Sequence, residues 1–480
     1  MIRVYTRGLS LLTAFIILLY SGVSGAEVLS ADVLDVTVLK ELEFSETGCL
    51  KDDPRFGKLL PEKEILDRIK DLRGFPSRSI VKKTLPDDDK QFLKSVAKDT
   101  WLYFDNLVNK GTQCPVSFIK LGAGQTKGEG CFIAGYTSAK DIALYLVSVV
   151  SAYDLGFIKK ENAVLRLKST LKSVGYFEHY YGFLYKYYDH TSGEKADDFI
   201  SSLDNAFFAA ALIVIRNTFP RELYDDCQEM ILKMDFSFFL NEENDRFYGG
   251  FYSDTGRYTE EEYEIFFTES RLLDFLAIGK YDVGKECWLS TVRDFNREAD
   301  KCENVMPGWS GGMCEASIPA VFINEKNIFE GKLWKNGYAY ALCQKKTPFD
   351  GGYWGVSGCY DCTGRRVIRG IEKLAVHNYD ADLLSPSAAV SALMYIPENV
   401  VTNVRKITKD FEVYGEYGFY SSVDVSGKKV AYIYSAEEQA LILLAINNYL
   451  NDGVIQKRFA GDDISKGAVT LLNDIENGLK

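Results

Sequence analysis

Histidine is scarce in this chain: only three occur among 480 residues, at positions 179, 190 and 377. Histidine is the commonest side-chain ligand of metal ions and the usual base of nucleophilic triads. So small a supply disfavours both kinds of chemistry, and the sequence predicts neither a metal nor a cofactor.

Positive charge is also in deficit. The chain has 56 Lys and Arg residues against 68 Asp and Glu residues, which gives a formal net charge of −12. Nucleic acids and anionic membranes are held by basic patches. The balance therefore argues against both partners, and it favours a neutral ligand over a strongly acidic one.

Long apolar runs are missing after the first 26 residues. Residues 1–26 combine Arg3 and Arg7 with the apolar run LSLLTAFIILLY and the small-residue stretch SGVSGA. This order is typical of an export signal, and an uncleaved anchor is the alternative. We therefore predict a secreted protein, periplasmic or extracellular, with no other membrane segment.

The ten cysteines allow up to five disulfides in an exported chain. Cys359 and Cys362 form a lone CxxC pair, without a thioredoxin-like βαβ setting and without a second pair for zinc. We interpret the pair as a structural disulfide or as plain thiols.

The chain is predicted to hold one large helical domain. Residues 27–87 are charged, contain several prolines and read as an N-terminal extension that ends in the linker-like KKTLPDDDK. Residues 88–480 form the domain. Apolar periodicity and end signals predict helices at 88–110, 138–155, 161–174, 202–217, 220–233, 268–280, 284–298, 313–322, 333–345, 385–396, 399–410 and 435–450.

These helices fall into two classes. Residues 205–215 and 436–446 are apolar almost all round, which is typical of helices buried on every side, whereas 161–174 is one-sided. Inner and outer helices in such numbers predict an all-α fold, an (α/α)₆ toroid of about six hairpins. An α-solenoid is the runner-up, but the sequence shows no repeat of fixed length.

Three similar aromatic loops separate the predicted helices. They are YGFLYKYYD at 181–189, YGGFYSD at 248–254 and YGFYSSVD at 417–424, and GGYWGVSGCYD at 351–361 is a fourth aromatic-glycine stretch. Aromatic faces stack on sugar rings and carboxylates accept hydroxyl hydrogen bonds. Tyr181, Tyr248, Tyr417 and Trp354 are therefore candidates for substrate binding at the toroid mouth, with local packing as the alternative for the tyrosines.

Four acids stand at or near the starts of predicted helices: Asp204, Glu269, Glu315 and Glu438. Helix N-termini stabilise carboxylates, which alone explains an acid at any one of these positions. In a toroid, however, the inner helices begin on one side, so the four acids are expected to meet at one mouth. Glycoside hydrolysis needs a protonated acid and a carboxylate. We assign the acid role to Glu269, which follows an apolar run, and the carboxylate role to Asp204.

These segments resemble a known family, the glucoamylase-like six-hairpin glycosidases, which include bacterial endo-β-1,2-glucanases and the glucan-processing domains of cyclic β-1,2-glucan synthases. The resemblance spans about residues 90–455 and includes FISSLDNAFFAAALI, FFTESRLLDFLAIGK, PGWSGGMCEASIPAVF and YSAEEQALILLAINNY. It implies an acidic cleft that binds β-glucan. Asp204, Glu269 and Glu315 match the family's cleft acids, and Trp309 matches its cleft tryptophan.

Two segments depart from the family pattern. Glu437-Glu438-Gln439-Ala440-Leu441 stands where the family has Ile-Asp-Gln-Gly-Pro, so that Glu438 replaces an aspartate. Met313-Cys314-Glu315-Ala316 stands where the family has Met-Phe-Glu-Tyr.

Three functions follow as hypotheses. The first is an exported glycoside hydrolase that acts on a neutral β-glucan, with β-1,2-glucan favoured, so that the partner is an oligo- or polysaccharide. The second is a non-catalytic protein for glycan binding or polysaccharide assembly, suggested by the departures around Glu438. The third, a polysaccharide lyase, is disfavoured by the acidic balance and the shortage of histidine.

Overall fold

The computed structural model describes residues 62–77, 79, 83–122, 131–294, 302 and 304–478. The predicted export signal and most of the N-terminal extension lie outside the described residues. Helices dominate the described part of the chain, and many short strands occupy the connections between them.

The α-helices have the following bounds: α1 Glu62–Asp71, α2 Asp89–Asn106, α3 Ala139–Asp154, α4 Lys160–Val174, α5 Ser202–Thr218, α6 Pro220–Lys233, α7 Arg271–Gly279, α8 Glu286–Ser290, α9 Met313–Ser317, α10 Pro319–Phe322, α11 Lys332–Lys346, α12 Pro386–Ser391, α13 Pro397–Asp410, α14 Ala436–Leu450, α15 Val454–Ala460 and α16 Asp463–Gly478. Short 3₁₀ turns lie at Phe236–Phe239, Phe329–Gly331, Glu372–Leu374 and Ala392–Met394.

Six outer–inner hairpins form a double ring. The inner helices are α3, α5, α7, α9, α12 and α14, and each follows its outer partner, α2, α4, α6, α8, α11 and α13, in the chain. Inner helix α14 packs against both α12 and α3, while α5 packs against both α3 and α7. Arg271 at the start of α7 donates to the carbonyl oxygen of Ala316 in α9, at 2.6 Å, and α9 packs against α12. The predicted (α/α)₆ toroid is confirmed.

The two ends of the ring differ because the connections differ. Each outer helix passes to its inner partner through a long segment, at 107–138, 175–201, 234–270, 291–312, 347–385 and 411–435. All inner helices therefore begin at this end, which we call the mouth. At the other end, α15 packs against α5, α10 and α14, and Phe459 contacts the rings of Phe275 and Phe322. That end is closed by helix packing.

The strands lie in the mouth connections. They are β1 Phe118–Lys120, β2 Phe132–Ile133, β3 Tyr136–Ser138, β4 His179–Tyr180, β5 Phe183–Leu184, β6 Tyr187–Asp189, β7 Phe199–Ser201, β8 Leu240–Asn241, β9 Arg246–Phe247, β10 Gly250–Tyr252, β11 Arg257–Tyr258, β12 Cys359–Tyr360, β13 Arg366–Val367, β14 Leu383–Leu384, β15 Tyr414–Gly415, β16 Gly418–Phe419, β17 Ser422–Asp424, β18 Lys429–Ala431 and β19 Ile433–Ser435.

Strand pairing joins each mouth connection to the next. Antiparallel pairs β3–β6 and β7–β10 link the first three connections, while β14–β17 and β19–β1 link the fifth, the sixth and the first. Isolated bridges Ile265–Val292 and Gly308–Ala375 link the third, fourth and fifth. The pairing therefore runs round the whole mouth, and it holds the ends of the inner helices in fixed positions.

Most predicted helices are confirmed to within a few residues. The capping box at Ser138 and Asp141 is present, with bonds of 2.9 and 3.0 Å, and Gly156 has the positive φ of a helix stop. The helix predicted at 268–280 begins later, at Arg271, and the one predicted at 284–298 is only five residues long, Glu286–Ser290. Helices α1, α15 and α16 were not predicted.

Part of the N-terminal extension lies against the toroid. Arg68 in α1 donates to the Gly135 carbonyl oxygen at 3.3 Å, and Lys83 pairs with Asp99 in α2. Arg405 in α13 donates to the carbonyl oxygen of Pro86 at 2.9 Å. The linker-like segment is therefore held by side chains of the outer helices α2 and α13.

The structure shows one disulfide and no candidate membrane helix among the described residues. Cys302 and Cys343 form a disulfide, whereas Cys359 and Cys362 are thiols, which is one of the two interpretations of the CxxC pair. Across the described ranges, no helix combines the length and apolar character that a membrane crossing requires.

Asp274 is a buried acid in the wall of the toroid. It lies on α7, is 2% exposed, and its Oδ2 atom has no hydrogen-bond partner among the described residues. Burial raises the pKa of Asp274 to about 8, although the charge of Arg293 opposes the rise. A carboxyl group whose pKa rises on folding stabilises the fold while it is protonated, and this stabilisation is lost as the pH rises from about 4 through about 8.

Asp274→Asn is therefore expected to stabilise the protein at alkaline pH. The amide mimics the protonated acid, and the gain in free energy of unfolding at pH 9 is on the order of 2 kcal/mol, since each pKa unit is worth about 1.4 kcal/mol and relaxation removes part of it. Urea unfolding at pH 4 and pH 9 measures it, with the exposed Asp225→Asn as control. A variant that is less stable than the wild type at pH 9 contradicts this account.

Candidate active site at the mouth of the toroid

Acids from several inner helices meet at the mouth. Asp204 lies in the first turn of α5, where its amide donates to the Ser201 hydroxyl at 3.2 Å, and Glu269 lies two residues before α7. Glu437 and Glu438 lie in the first turn of α14, and Glu315 lies in α9. Asp204 and Glu438 are buried, at 8% and 3% exposed, and the others are partly exposed. The predicted convergence of helix-start acids is what the toroid produces.

Lys140 joins two of these acids. Its Nζ atom donates to Glu269 Oε2 at 2.7 Å and to Glu437 Oε1 at 2.8 Å. The second oxygen of Glu437 accepts a bond from Arg366, at 3.2 Å. Because both oxygens bond to the same nitrogen, Glu269 Oε2 and Glu437 Oε1 lie at most 5.5 Å apart. A chain of alternating charges therefore crosses the mouth, and it connects the starts of α3 and α14 and the segment before α7 to β13.

The acids near Lys140 differ in pKa because their surroundings differ. Burial raises the pKa of Glu269, and the carboxylates of Glu437 and Asp204 add to the rise while Lys140 opposes it. Burial likewise raises the pKa of Asp204, against the charges of Lys186 and Lys140. Burial also acts on Glu437, but Lys140 and Arg366 outweigh it and lower the pKa of that carboxyl to about 2. Around Lys140 the mouth thus holds two acids with raised pKa values, Glu269 and Asp204, beside Glu437, which is ionised above about pH 2.

Glu315 and Glu438 are held by their own connections. Glu315 accepts bonds from the amides of Ser310 and Gly311, at 3.0 and 3.2 Å, and from the Ser310 hydroxyl at 2.6 Å. Burial raises the pKa of Glu315 to about 7, and the Ser310 bonds oppose the rise. Glu438 accepts from the hydroxyls of Ser421 and Ser435, at 2.7 and 2.6 Å. These bonds occupy the carboxylates, so that both acids fix loop geometry.

Trp309 is the exposed tryptophan of the mouth. It lies directly before the loop that Glu315 holds, and it is 37% exposed. Its ring centroid is 5.2 Å from those of His377 and Tyr379. The backbone amide of His377 also donates to the Trp309 carbonyl oxygen, at 2.9 Å. The predicted cleft tryptophan is thus a partly exposed ring that two neighbouring rings support.

Two of the predicted stacking residues are corrected by the structure. Trp354 is 4% exposed, and its backbone bonds to the side chain of Asn403 in α13. Tyr417 is 2% exposed and packs against Tyr434, with ring centroids 5.6 Å apart. Both rings are part of the hydrophobic core, so neither offers a face to a sugar.

The other two aromatic loops form a cluster of their own. Tyr181 is 75% exposed with a φ of 48°, at the tip of the β4–β5 hairpin, where its ring lies 6.2 Å from Phe238. Tyr248 is half-buried and stacks on Tyr258 at 4.6 Å. The neighbouring Gly182 lies so close to Lys233, the last residue of outer helix α6, that a Cβ atom would overlap its carbonyl oxygen. Tyr181 therefore lies toward the outer ring of helices.

Sequence reasoning missed three charged residues of the site, Lys140, Glu437 and Arg366. One signal for Lys140 was present: a lysine in the first turn of an almost wholly apolar helix opposes the helix dipole. Glu437 was passed over in favour of its neighbour Glu438, because an adjacent pair of acids does not reveal which one faces the mouth. Arg366 carries no local signal, since it reaches Glu437 from a distant strand.

A toroid of six hairpins with acids at the starts of its inner helices defines the six-hairpin glycosidase fold, and the comparisons agree. The Glycoamylase family model, described as "Putative glucoamylase", matches residues 262–462, which include Glu269, Glu315 and Glu437. An endo-β-1,2-glucanase from Chitinophaga pinensis, solved in complex with sophorotriose and glucose, aligns with a TM-score of 0.68 at 14% identity. The alignment covers 80% of this chain and 98% of that chain.

Two further relatives point the same way. An endo-β-1,2-glucanase from Talaromyces funiculosus, solved in complex with sophorose, has a TM-score of 0.64 at 14% identity, covering 81% of this chain and 91% of that chain. A cyclic β-(1,2)-glucan synthase, NdvB of Rhizobium meliloti (strain 1021), is 23% identical over 271 residues. That match covers 52% of this chain but only 9% of NdvB. The predicted resemblance to glucoamylase-like six-hairpin glycosidases is confirmed.

Proposed function

We propose that this protein is an exported glycoside hydrolase that cleaves a neutral β-glucan, with β-1,2-linked glucan as the favoured substrate. The observation that carries the proposal is the pair of carboxyl groups, Glu269 and Glu437, bridged by Lys140 at the mouth. The names of the similar endo-β-1,2-glucanases support the choice of linkage. The signal-like residues 1–26 support export.

Glu269 suits the role of general acid. A general acid must keep its proton near neutral pH, and burial together with the nearby carboxylates raises the pKa of Glu269. Its side chain is 18% exposed, so a substrate can reach it. In the proposed reaction Glu269 protonates the glycosidic oxygen as its bond to the anomeric carbon breaks, and that carbon bonds instead to the second carboxylate or to a water that the second carboxylate deprotonates.

Glu437 suits the carboxylate role better than Asp204. Lys140 and Arg366 keep Glu437 ionised, and its side chain is 24% exposed. Asp204 is 8% exposed, so a substrate reaches it less readily, and burial raises its pKa, so it is ionised over a narrower range of pH than Glu437. We therefore assign Asp204 to support, as a negative charge that helps Glu269 to hold its proton.

Hydrolysis itself is the test of this proposal. The purified full chain is incubated with β-1,2-, β-1,3- and β-1,4-glucans, and new reducing ends are counted. Release from β-1,2-glucan at a higher rate than from the others is the expected result. A folded protein that releases nothing from any of the three overturns the proposal.

Trp309→Ala is expected to weaken binding of β-1,2-gluco-oligosaccharides about 3- to 10-fold, because aromatic stacking is worth about 0.5–1.5 kcal/mol. Isothermal titration calorimetry measures the change. Tyr281→Ala is a matched control, since Tyr281 is 72% exposed and follows α7 at the closed end of the toroid. Equal affinities for the wild type and Trp309→Ala would remove Trp309 from the binding site.

A second candidate function, glycan binding without hydrolysis, is favoured by one observation. Glu269 is already engaged by Lys140, and a neighbouring ammonium group favours the ionised carboxylate, which has no proton to donate. This alternative predicts oligosaccharide binding that survives Asp204→Asn and Glu269→Gln, with no reducing ends released by any form of the protein.

A further inference from the structure

Lys140 lies where a lysine is electrostatically disfavoured. It is the second residue of α3, and a helix N-terminus repels positive charge. Its side chain is also largely buried, at 13% exposed, which penalises the ammonium ion further. Compensation comes from outside the helix, through the carboxylates of two other hairpins.

The contacts of Lys140 are well defined. The Nζ atom bonds to Glu269 Oε2 at 2.7 Å and to Glu437 Oε1 at 2.8 Å, and it lies 4.8 Å from the ring centroid of Phe207 in α5. Lys140, in the first hairpin, therefore bonds to the third hairpin before α7 and to the sixth hairpin at α14. It also packs on α5 of the second hairpin. It is a link between the walls of the site as well as a charge.

Resting on the proposed hydrolase function, we propose that Lys140 is a positioning residue that fixes the spacing of Glu269 and Glu437 and directs the catalytic proton to Glu269 Oε1. An ammonium group can only donate hydrogen bonds. Glu269 Oε2, which accepts from Lys140, is therefore an unfavourable place for a proton. The proton that the glycosidic oxygen receives is carried by Oε1, and Glu437 stays ionised because Lys140 and Arg366 both donate to it.

Several other groups act on this pair and are kept constant in the test. Glu269 interacts electrostatically with the side chains of Asp204, Glu315 and Tyr263. The charge of Lys186 acts in turn on Asp204. Arg366 and Glu438 lie on the Glu437 side. Lys140 is the cation that bonds directly to both members of the pair.

Lys140→Met tests the proposal, since methionine has a similar length and no charge. We expect kcat on β-1,2-glucan to fall about 10- to 100-fold, because misplacement by about 1 Å costs a factor of that size, with KM changed less than about threefold. Loss of the cation raises the pKa of Glu269, so the alkaline limb of the rate–pH profile moves up by about one unit or more. Lys140→Arg keeps the charge, and it is expected to keep the wild-type position of that limb.

Lys159→Met is the matched control, because Lys159 is an exposed lysine at the start of outer helix α4. It is expected to leave kcat, KM and the pH profile unchanged. A Lys140→Met enzyme with the wild-type kcat and pH profile overturns the proposal. So does a Lys140→Arg enzyme whose alkaline limb shifts as far as that of Lys140→Met.

A measurement without turnover separates this inference from the proposed function. The Lys140–Glu437 ion pair needs an ionised glutamate, and the pKa of Glu437 is lowered to about 2, so its stabilisation is lost as the pH falls from about 4.5 through about 2. Lys140→Met is therefore expected to lower Tm by several degrees at pH 7 and by much less at pH 2. If the wild type hydrolyses no glucan but the pH-dependent Tm difference is present, the hydrolase proposal fails and the charge link between Lys140 and the two glutamates stands. An equal Tm difference at both pH values contradicts the link itself.

Discussion

Replacing Glu269 by glutamine is expected to lower the rate of β-1,2-glucan hydrolysis about 10²- to 10⁴-fold, the usual contribution of general acid catalysis. Glutamine keeps the size and the hydrogen-bond acceptor that faces Lys140, at 2.7 Å in the native protein, but it cannot donate a catalytic proton. Oligosaccharide affinity is therefore expected to stay within about threefold of the wild type. Reducing-end release measures the rate, and calorimetry measures the affinity.

The control for this variant is Glu161→Gln. Glu161 also lies in the first turn of a helix, but in outer helix α4, where its side chain is exposed. It tests whether removal of any helix-start acid slows the enzyme. Full activity of Glu161→Gln with loss in Glu269→Gln supports the assignment, whereas unchanged hydrolysis by Glu269→Gln removes Glu269 from the acid role.

The pH dependence of the wild type follows from the same two groups. The pKa of Glu437 is lowered to about 2, so this carboxylate is charged in mildly acidic solution, and the pKa of Glu269 is raised. Activity is therefore expected to be retained in mildly acidic solution and to fall on the alkaline side, as Glu269 loses its proton. A rate–pH profile that instead rises through the alkaline range contradicts the assignment of Glu269 as the acid.

The fold was readable from the sequence because its signals are local. Residues 205–215 and 436–446 are apolar all round, and both proved to lie in buried inner helices, α5 and α14. The acids at the starts of these helices, Asp204 and Glu438, were found for the same reason, since they stand next to the apolar segments in the chain. Helix identity and helix direction were enough to bring Asp204, Glu269 and Glu438 to one end.

The site was only partly readable because its pairing is not local. Lys140 and Glu437 are separated by 297 residues and meet only when the first and last hairpins close the ring. The aromatic-glycine loops gave wrong predictions for Trp354 and Tyr417, because aromatic residues that can stack on sugars can equally fill a hydrophobic core. Trp354 is buried against α13 and Tyr417 against Tyr434, and neither contact is visible in the local sequence. The short strands were missed since two- and three-residue pairs between distant loops have no periodicity to detect.

A buried ion pair lies between inner helices α7 and α9. Arg271 and Glu325 are 0% and 1% exposed, with Arg271 Nε donating to Glu325 Oε1 at 2.8 Å. The other two nitrogens of Arg271 donate to the carbonyl oxygens of Thr268 and Ala316, at 2.7 and 2.6 Å. One guanidinium group therefore joins α7 to α9 and also holds the backbone directly before Glu269.

Arg271→Met is therefore expected to lower the free energy of unfolding by about 3–5 kcal/mol, the usual cost of removing one partner from a buried pair and leaving the other charge without compensation. Urea unfolding at pH 7 measures the loss, with the exposed pair Lys466–Asp463 as control, where Lys466→Met is expected to have no measurable effect. The double variant Arg271→Met/Glu325→Leu removes the stranded charge, and it is expected to recover part of the stability. If the double variant is less stable than Arg271→Met, the loss does not arise from the stranded carboxylate, and the carbonyl bonds to Thr268 and Ala316 are then the dominant contribution of Arg271.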